Sequence, residues 1–297
     1  MPGPDDVRAQ IAGLRRRSAE ARRRAASAKA RAARFEEQAA PSPGPVSQAC
    51  LRAAALQRQV QARHLASAAL QDQYADRLCA WLGREGEPER RPVFIDAVAA
   101  AIGMPSATVI LLGTQRGQAL VAASDATARA AYDLEFVLGE GPAHLAIADG
   151  RTVQAAGMAL GDRWPQYGPA AVRLGVRAVI AVPLQPPARL GAMCAYDSRP
   201  SISEEAAMAV GVIADALPLT LSRAEDDRQP GGGVPALPLF GEADVPAVVH
   251  QAAGMVSQQC GCGIADALAL LRARAFSAGR PAEEIAADVL RGELRLC

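Results

Sequence analysis

The chain has 297 residues, half of them apolar, with 32 basic against 31 acidic side chains. It is long enough for two domains and an extension with a sizeable core. The longest apolar stretch, Ala206–Ala214, stops at Asp215, and the Met-Pro-Gly-Pro-Asp-Asp start carries no leader pattern; both argue against a membrane span and predict a cytoplasmic protein.

Charge is uneven along the chain. Residues 1–85 hold 15 basic and 8 acidic side chains (+7), 86–225 hold 11 and 14 (−3), and 226–297 hold 6 and 9 (−3). Six cysteines (Cys50, Cys79, Cys194, Cys260, Cys262, Cys297) form no C-x-x-C pair, and His64, His144 and His250 are too far apart for a helical ligand pair. Reduced thiols, no metal and no cofactor are the expectation.

From Val7 the pattern is helical. Val7, Leu14, Ala21, Ala28 and Phe35 recur every seven residues, interleaved with Ile11, Ser18, Ala25, Ala32 and Ala39. Together they make a coiled-coil seam, with Arg15–Arg17 and Arg22–Arg24 largely off it. An alanine seam permits close approach but buries little area, so the helix needs a partner. The Pro-Ser-Pro-Gly-Pro run at 41–45 ends it. A second helix is predicted from Val46 to Trp81, with Leu56, Val60, Leu70, Tyr74, Leu78 and Trp81 on one face. Residues 1–85 thus read as a helical coiled-coil or hairpin extension that either dimerises or packs on the next domain. Its arginines read as a solvated face rather than a nucleic-acid arm.

Over 86–225 helix and strand patterns mix. An amphipathic helix around Val93–Ile102 precedes extended runs at Ala107–Leu112, Ala119–Ala123, Leu134–Leu138, Thr152–Ala155, Val176–Leu184 and Leu190–Tyr196, and a helix from Ser203 to Leu221 closes the segment. This predicts an antiparallel sheet with flanking helices. Residues 226–243 are rich in proline and glycine and read as a linker. In 244–297, Asp244 is a candidate N-cap ahead of three short helices, Val248–Cys260, Ile264–Phe276 and Pro281–Leu290. Their apolar stripes (Val249, Ala252, Val256, Cys260; Ile264, Ala267, Leu268, Leu271, Ala275; Ile285, Val289, Leu290) predict a three-helix bundle. The fold class is therefore α+β and multidomain.

Two segments resemble known families. The stretches Val249-His-Gln-Ala-Ala-Gly-Met-Val-Ser-Gln-Gln-Cys-Gly, Ala267-Leu-Ala-Leu-Leu-Arg-Ala-Arg-Ala-Phe, Gly279-Arg-Pro and Ile285-Ala-Ala-Asp-Val resemble the ANTAR domain over about residues 240–292. The matching positions are Gln251, Ala252, Gly254, Leu271, Arg272, Ala275, Ile285 and Ala286. This resemblance implies a transcription antiterminator that binds paired stem-loops in leader RNA, usually as a homodimer, and is not an enzyme. Where the family often has lysine this chain has Ala253, so phosphate affinity rests on few cations. The middle segment resembles the GAF sensor domain of actinobacterial regulators through Leu134-Glu-Phe-Val-Leu-Gly-Glu-Gly-Pro, Arg163-Trp-Pro, Gly175-Val-Arg-Ala-Val-Ile-Ala-Val-Pro-Leu and Leu190-Gly-Ala-Met. It implies a small-molecule ligand that the sequence does not name. Ala143 stands where these relatives often carry cysteine.

On the ANTAR resemblance, Arg272, Arg274, Arg280, His250 and Gln251 are the candidate RNA-binding residues, Arg272 foremost because it sits at the edge of the apolar stripe. The rival reading is a dimeric protein-interaction module whose RNA affinity is weak or lost. Gly139-Glu140-Gly141-Pro142 reads as a tight turn rather than a phosphate loop. Trp164 and Tyr167 read as core anchors, and Cys260-Gly261-Cys262 as a helix end with Gly261 in the left-handed cap. Cys194, the only cysteine of the middle segment, lacks the thiol partner that a sulfoxide reductase needs.

Overall fold

A computed structural model describes residues 4–40, 44–83, 91–112, 119–184, 191–226 and 247–296. The expected linker beyond Asp226 and the Asp244 cap lie outside these residues. The chain divides into two compact units, Met1–Ala101 with Gly211–Leu237, and Ile102–Val210 with Pro238–Cys297. Among the described residues, no helix is long and apolar enough to cross a membrane.

In the first unit, α1 (Pro4–Ala39) and α2 (Pro45–Leu82) form an antiparallel hairpin. The turn follows from sequence, because Gly44 at φ +78 precedes Pro45 in the first turn of α2, where a missing N–H costs nothing. The heptad seam is buried as its spacing predicts: Val7, Leu14, Ala21, Ala25, Ala28 and Ala32 are all enclosed, with Ser18 among them. Asp72 of α2 accepts from Ser18 Oγ at 2.8 Å and from Arg22 at 2.6 Å, while Glu36 of α1 takes a forked pair from Arg58. Part of the basic face therefore answers carboxylates on both helices.

On α2 the expected face needs correcting at one end. Leu70, Tyr74 and Leu78 are buried, but Leu56 is 60% exposed, because the core of this unit gathers on the C-terminal half of the helix. There Tyr74 meets Phe94 of α3 (Phe94–Ile102) edge to face at 5.5 Å. Ser67 Oγ lies 2.9 Å from Thr220 Oγ1 of α8 (Glu204–Asp226) in a buried hydroxyl pair, and Arg63 reaches Asp215 at 3.2 Å. These contacts explain why the compact unit extends past residue 85 and takes in the later part of α8.

The second unit holds a five-stranded, wholly antiparallel sheet of order β2-β1-β5-β4-β3, built from β1 (Ser106–Leu112), β2 (Ala119–Ala123), β3 (Val153–Ala156), β4 (Ala178–Leu184) and β5 (Gly191–Asp197). The central pair β1 and β5 aligns Thr108 with Cys194 and Val109 with Met193. One core forms where Val121, Val153, Val179, Ala181 and Cys194 meet α4 (Ala126–Leu138), α5 (Pro142–Asp149), α6 (Ala159–Arg163) and α7 (Tyr167–Arg173). Trp164 and Tyr167 belong to it, their rings edge to face at 6.0 Å, as core anchors should be. Leu134–Leu138 is not extended; it is the last turn of α4. Its apolar run fits two periods equally well over so short a window. The helix is decided upstream, where Asp125 caps Ala128 N at 2.8 Å.

A second core in this unit joins α9 (Ala247–Cys260), α10 (Ile264–Ala278) and α11 (Ala282–Leu290) through Val249, Ala252, Val256, Leu268, Leu271 and Ile285, among others. Gly261, at φ +61, lies just past α9 in the left-handed conformation that glycine adopts without steric cost. Cys260 is disulfide-bonded, which corrects the expectation of reduced thiols throughout; the closure depends on spatial approach, which sequence spacing does not report.

Candidate nucleic-acid interface and polar core

The bundle decides what each candidate RNA-binding residue can offer. Gln251 lies on the exposed face of α9 and its neighbours Ala252 and Ala253 in the core, so the expected lysine position is an interior one in this chain. The side chain of His250 lies outside the described residues. Arg274 is exposed and makes no ion pair among the described residues. Arg280 is exposed but engaged, with Glu284 at 3.1 Å and Asp288 at 2.8 Å.

Arg272 lies at the edge of its apolar stripe, where its guanidinium is already engaged. Its guanidinium carbon lies 4.3 Å from the ring centre of Phe136 on α4, its Nε is buried without a hydrogen-bond partner, and burial lowers its affinity for the proton. It borders a groove of about 360 Å³ with Val137, Gly139, Gln166, Ala273 and Phe276, the last 66% exposed. Arg274 is thus accessible, Arg272 half-buried and Arg280 neutralised by carboxylates.

Arg295 lies beyond the last predicted helix, which ends at Leu290, and is not among the residues expected from sequence. Leu294 and Leu296 pack against the bundle core, pinning the tail, and Arg295 between them is exposed with no ion pair among the described residues. The alternation of leucine and arginine was the available signal. Arg291 is engaged by Asp288 and Glu293.

The sheet core carries the other notable chemistry. The inner face of α4 buries Ala128, Ala131 and Glu135. Glu135 Oε1 accepts from His144 N at 2.6 Å, in the first turn of α5, and lies 3.1 Å from His144 Nδ1. Gly141, at the N-cap, has no side chain with which to do this, and a Cβ there would sit 2.5 Å from the Glu135 side chain. Glu140 does the same for α7, accepting from the backbone N–H groups of Gln166 and Tyr167 at 2.7 Å each. Around the turn expected at Gly139–Pro142, two carboxylates thus cap two helices, Glu135 from α4 and Glu140 from the turn itself.

Glu135 Oε2 and the Tyr167 hydroxyl are buried without partners. In the sheet core that holds Tyr167, Tyr196 and Cys194, burial foremost, with the Glu135 carboxylate adding to it, pushes their ionisations well up. Tyr196 lies 3.2 Å from Thr108 Oγ1. A thiol held protonated in this way is a poor nucleophile. Among the described residues, no group of three or more His, Cys, Asp and Glu side chains is arranged to hold a metal ion.

No protein-family model matches the sequence, and no curated protein matches it.

Proposed function

We propose that the chain is a signal-responsive, non-enzymatic RNA-binding regulator of transcription antitermination, with a GAF-like sheet as sensor and an ANTAR-like bundle as reader. One observation carries the reading: the segment that resembles the ANTAR domain closes its own three-helix core, with Ala252, Leu271, Ala275, Ile285 and Ala286 all buried, while Gln251 and Arg274 stay exposed. Exposed cations supply phosphate contacts, and amide side chains read unpaired bases in RNA loops. Reception of a small-molecule signal falls to the sheet core, where Glu135 and Tyr167 hold unpartnered polar atoms.

A second reading, a protein-interaction module with weak or lost RNA affinity, is favoured by the ion pairs that occupy Arg280 and Arg291 and by the half-burial of Arg272. Affinity selection of the full chain against a pool of twin stem-loop RNAs with randomised loops separates the two. The first reading predicts enriched loop sequences. It also predicts that Arg274→Ala and Arg295→Ala each weaken binding several-fold and each lower the salt slope by about one. No enrichment, or binding indifferent to both substitutions, favours the second.

A further inference from the structure

We propose that Phe136 on α4 stows Arg272, so that the bundle as folded binds RNA weakly and tightens when α10 leaves α4. The inference rests on the RNA-binding reading and adds how that site is regulated.

Arg272 matches the family's arginine, yet it is the one candidate whose guanidinium is committed to an aromatic ring, at 4.3 Å. Its Nε edge is enclosed and unbonded, and it has no carboxylate partner among the described residues. Phosphate is gripped best by a guanidinium that offers two parallel N–H groups, and enclosing the Nε edge removes one way of doing so. The same contact seats Phe136 and Val137 against the core formed by α9, α10 and α11, so while the ring is present, freeing Arg272 requires α10 to part from α4.

Beside this contact, carboxylates outnumber guanidinium groups. Between α4 and α11, two carboxylates, Asp133 and Glu283, face one guanidinium, Arg129, which is 3.5 Å from Glu283. The opposite face of α4 is tied to the start of α5 by Glu135, the residue preceding Phe136, which is buried and accepts from His144 N at 2.6 Å. A rotation of α4 that disturbs Glu135 therefore moves Phe136 with it. Any affinity the RNA gains from Arg272 is reduced by the population in which the latch is closed.

Phenylglyoxal modification of the full chain, read site by site by mass spectrometry, reports guanidinium access without RNA. Arg272 is expected to react several-fold more slowly than Arg274 in the parent and at a similar rate in Phe136→Leu, which keeps apolar volume but removes the ring. Against RNA selected from the randomised stem-loop pool, Phe136→Leu should bind about two- to thirty-fold more tightly, the range an aromatic–cation contact supports. The gain should vanish in the double variant with Arg272→Ala. Equal reactivity of Arg272 and Arg274 in the parent overturns the latch, as does release of Arg272 without tighter binding in a parent that binds RNA. A protected Arg272 in a chain that binds no RNA, parent and variant alike, overturns the RNA reading and its regulation while leaving the contact itself intact. Circular dichroism of Phe136→Leu, with Phe136→Ala beside it, confirms that each result comes from folded protein.

Discussion

At the scale of single residues, the most informative side chains are carboxylates. Glu135 and Glu140 each satisfy backbone N–H groups at the start of a helix whose own N-cap position makes no side-chain bond. Losing such a cap costs about 0.5–2 kcal/mol. Glu140→Ala should lower the melting temperature with an effect of that size, measurable by differential scanning calorimetry, and a neutral result would remove α7 capping from the account. Asp133 behaves in the opposite sense. Burial first, and then the Glu283 carboxylate, push its carboxyl up from 3.8 to about 7. Between these values the folded chain keeps a proton that the unfolded chain has released, so this residue makes stability fall as pH rises from about 4 to 7 and keeps it low above that. Asp133→Asn should therefore raise the melting temperature at pH 8, by roughly 2–4 °C for each kcal/mol relieved, and leave it unchanged near pH 3. A thermal melt series across pH checks the sign.

At the scale of elements, sequence and structure agree where a long stripe has one available partner. Along the heptad seam of α1 and the apolar stripes of α9, α10 and α11 most predicted positions are buried; Ile11, Phe35, Cys260 and Leu290 are half-buried, and the Ile264 side chain lies outside the described residues. Agreement fails where the deciding contact is distant in sequence. Leu134–Leu138 reads as extended until the upstream cap at Asp125 is seen, and Leu56 reads as core until the first unit's core is found at the other end of α2. Arg272 lies at the edge of its stripe as expected, but its partner is Phe136, more than a hundred residues earlier, and no local pattern reports that. Of the candidate interface, Gln251, Arg274 and Arg280 are exposed, Arg280 within ion pairs, and Arg272 is half-buried, while the His250 side chain lies outside the described residues. By sequence Ala253 stands where a phosphate-binding lysine is missing, yet it is fully enclosed in the bundle core. Ala253→Lys should therefore destabilise the bundle by about 1–3 kcal/mol through overpacking, with more if the ammonium stays unpaired. A stable variant with tighter RNA binding would show that the position faces outward.

At the scale of the whole molecule, the α1 seam is taken by α2 of the same chain. The hairpin belongs to a unit that also includes Phe94 and Thr220, and removing residues 1–83 strips Phe94 of its Tyr74 ring and Thr220 of its Ser67 partner. That truncation should lower the melting temperature while leaving the number of copies per particle, read by light scattering, unchanged. A drop in copy number would make the hairpin the dimerising element instead. The central proposal is RNA recognition by the C-terminal bundle. Its most direct test is ultraviolet crosslinking of the full chain to transcripts in its native host, with sequencing of the bound RNA. The account predicts reads that converge on leader regions bearing paired hairpins, with crosslinks in peptides of residues 247–296 that diminish in Arg274→Ala. Reads no richer in such regions than those from a chain lacking residues 247–297 would contradict it.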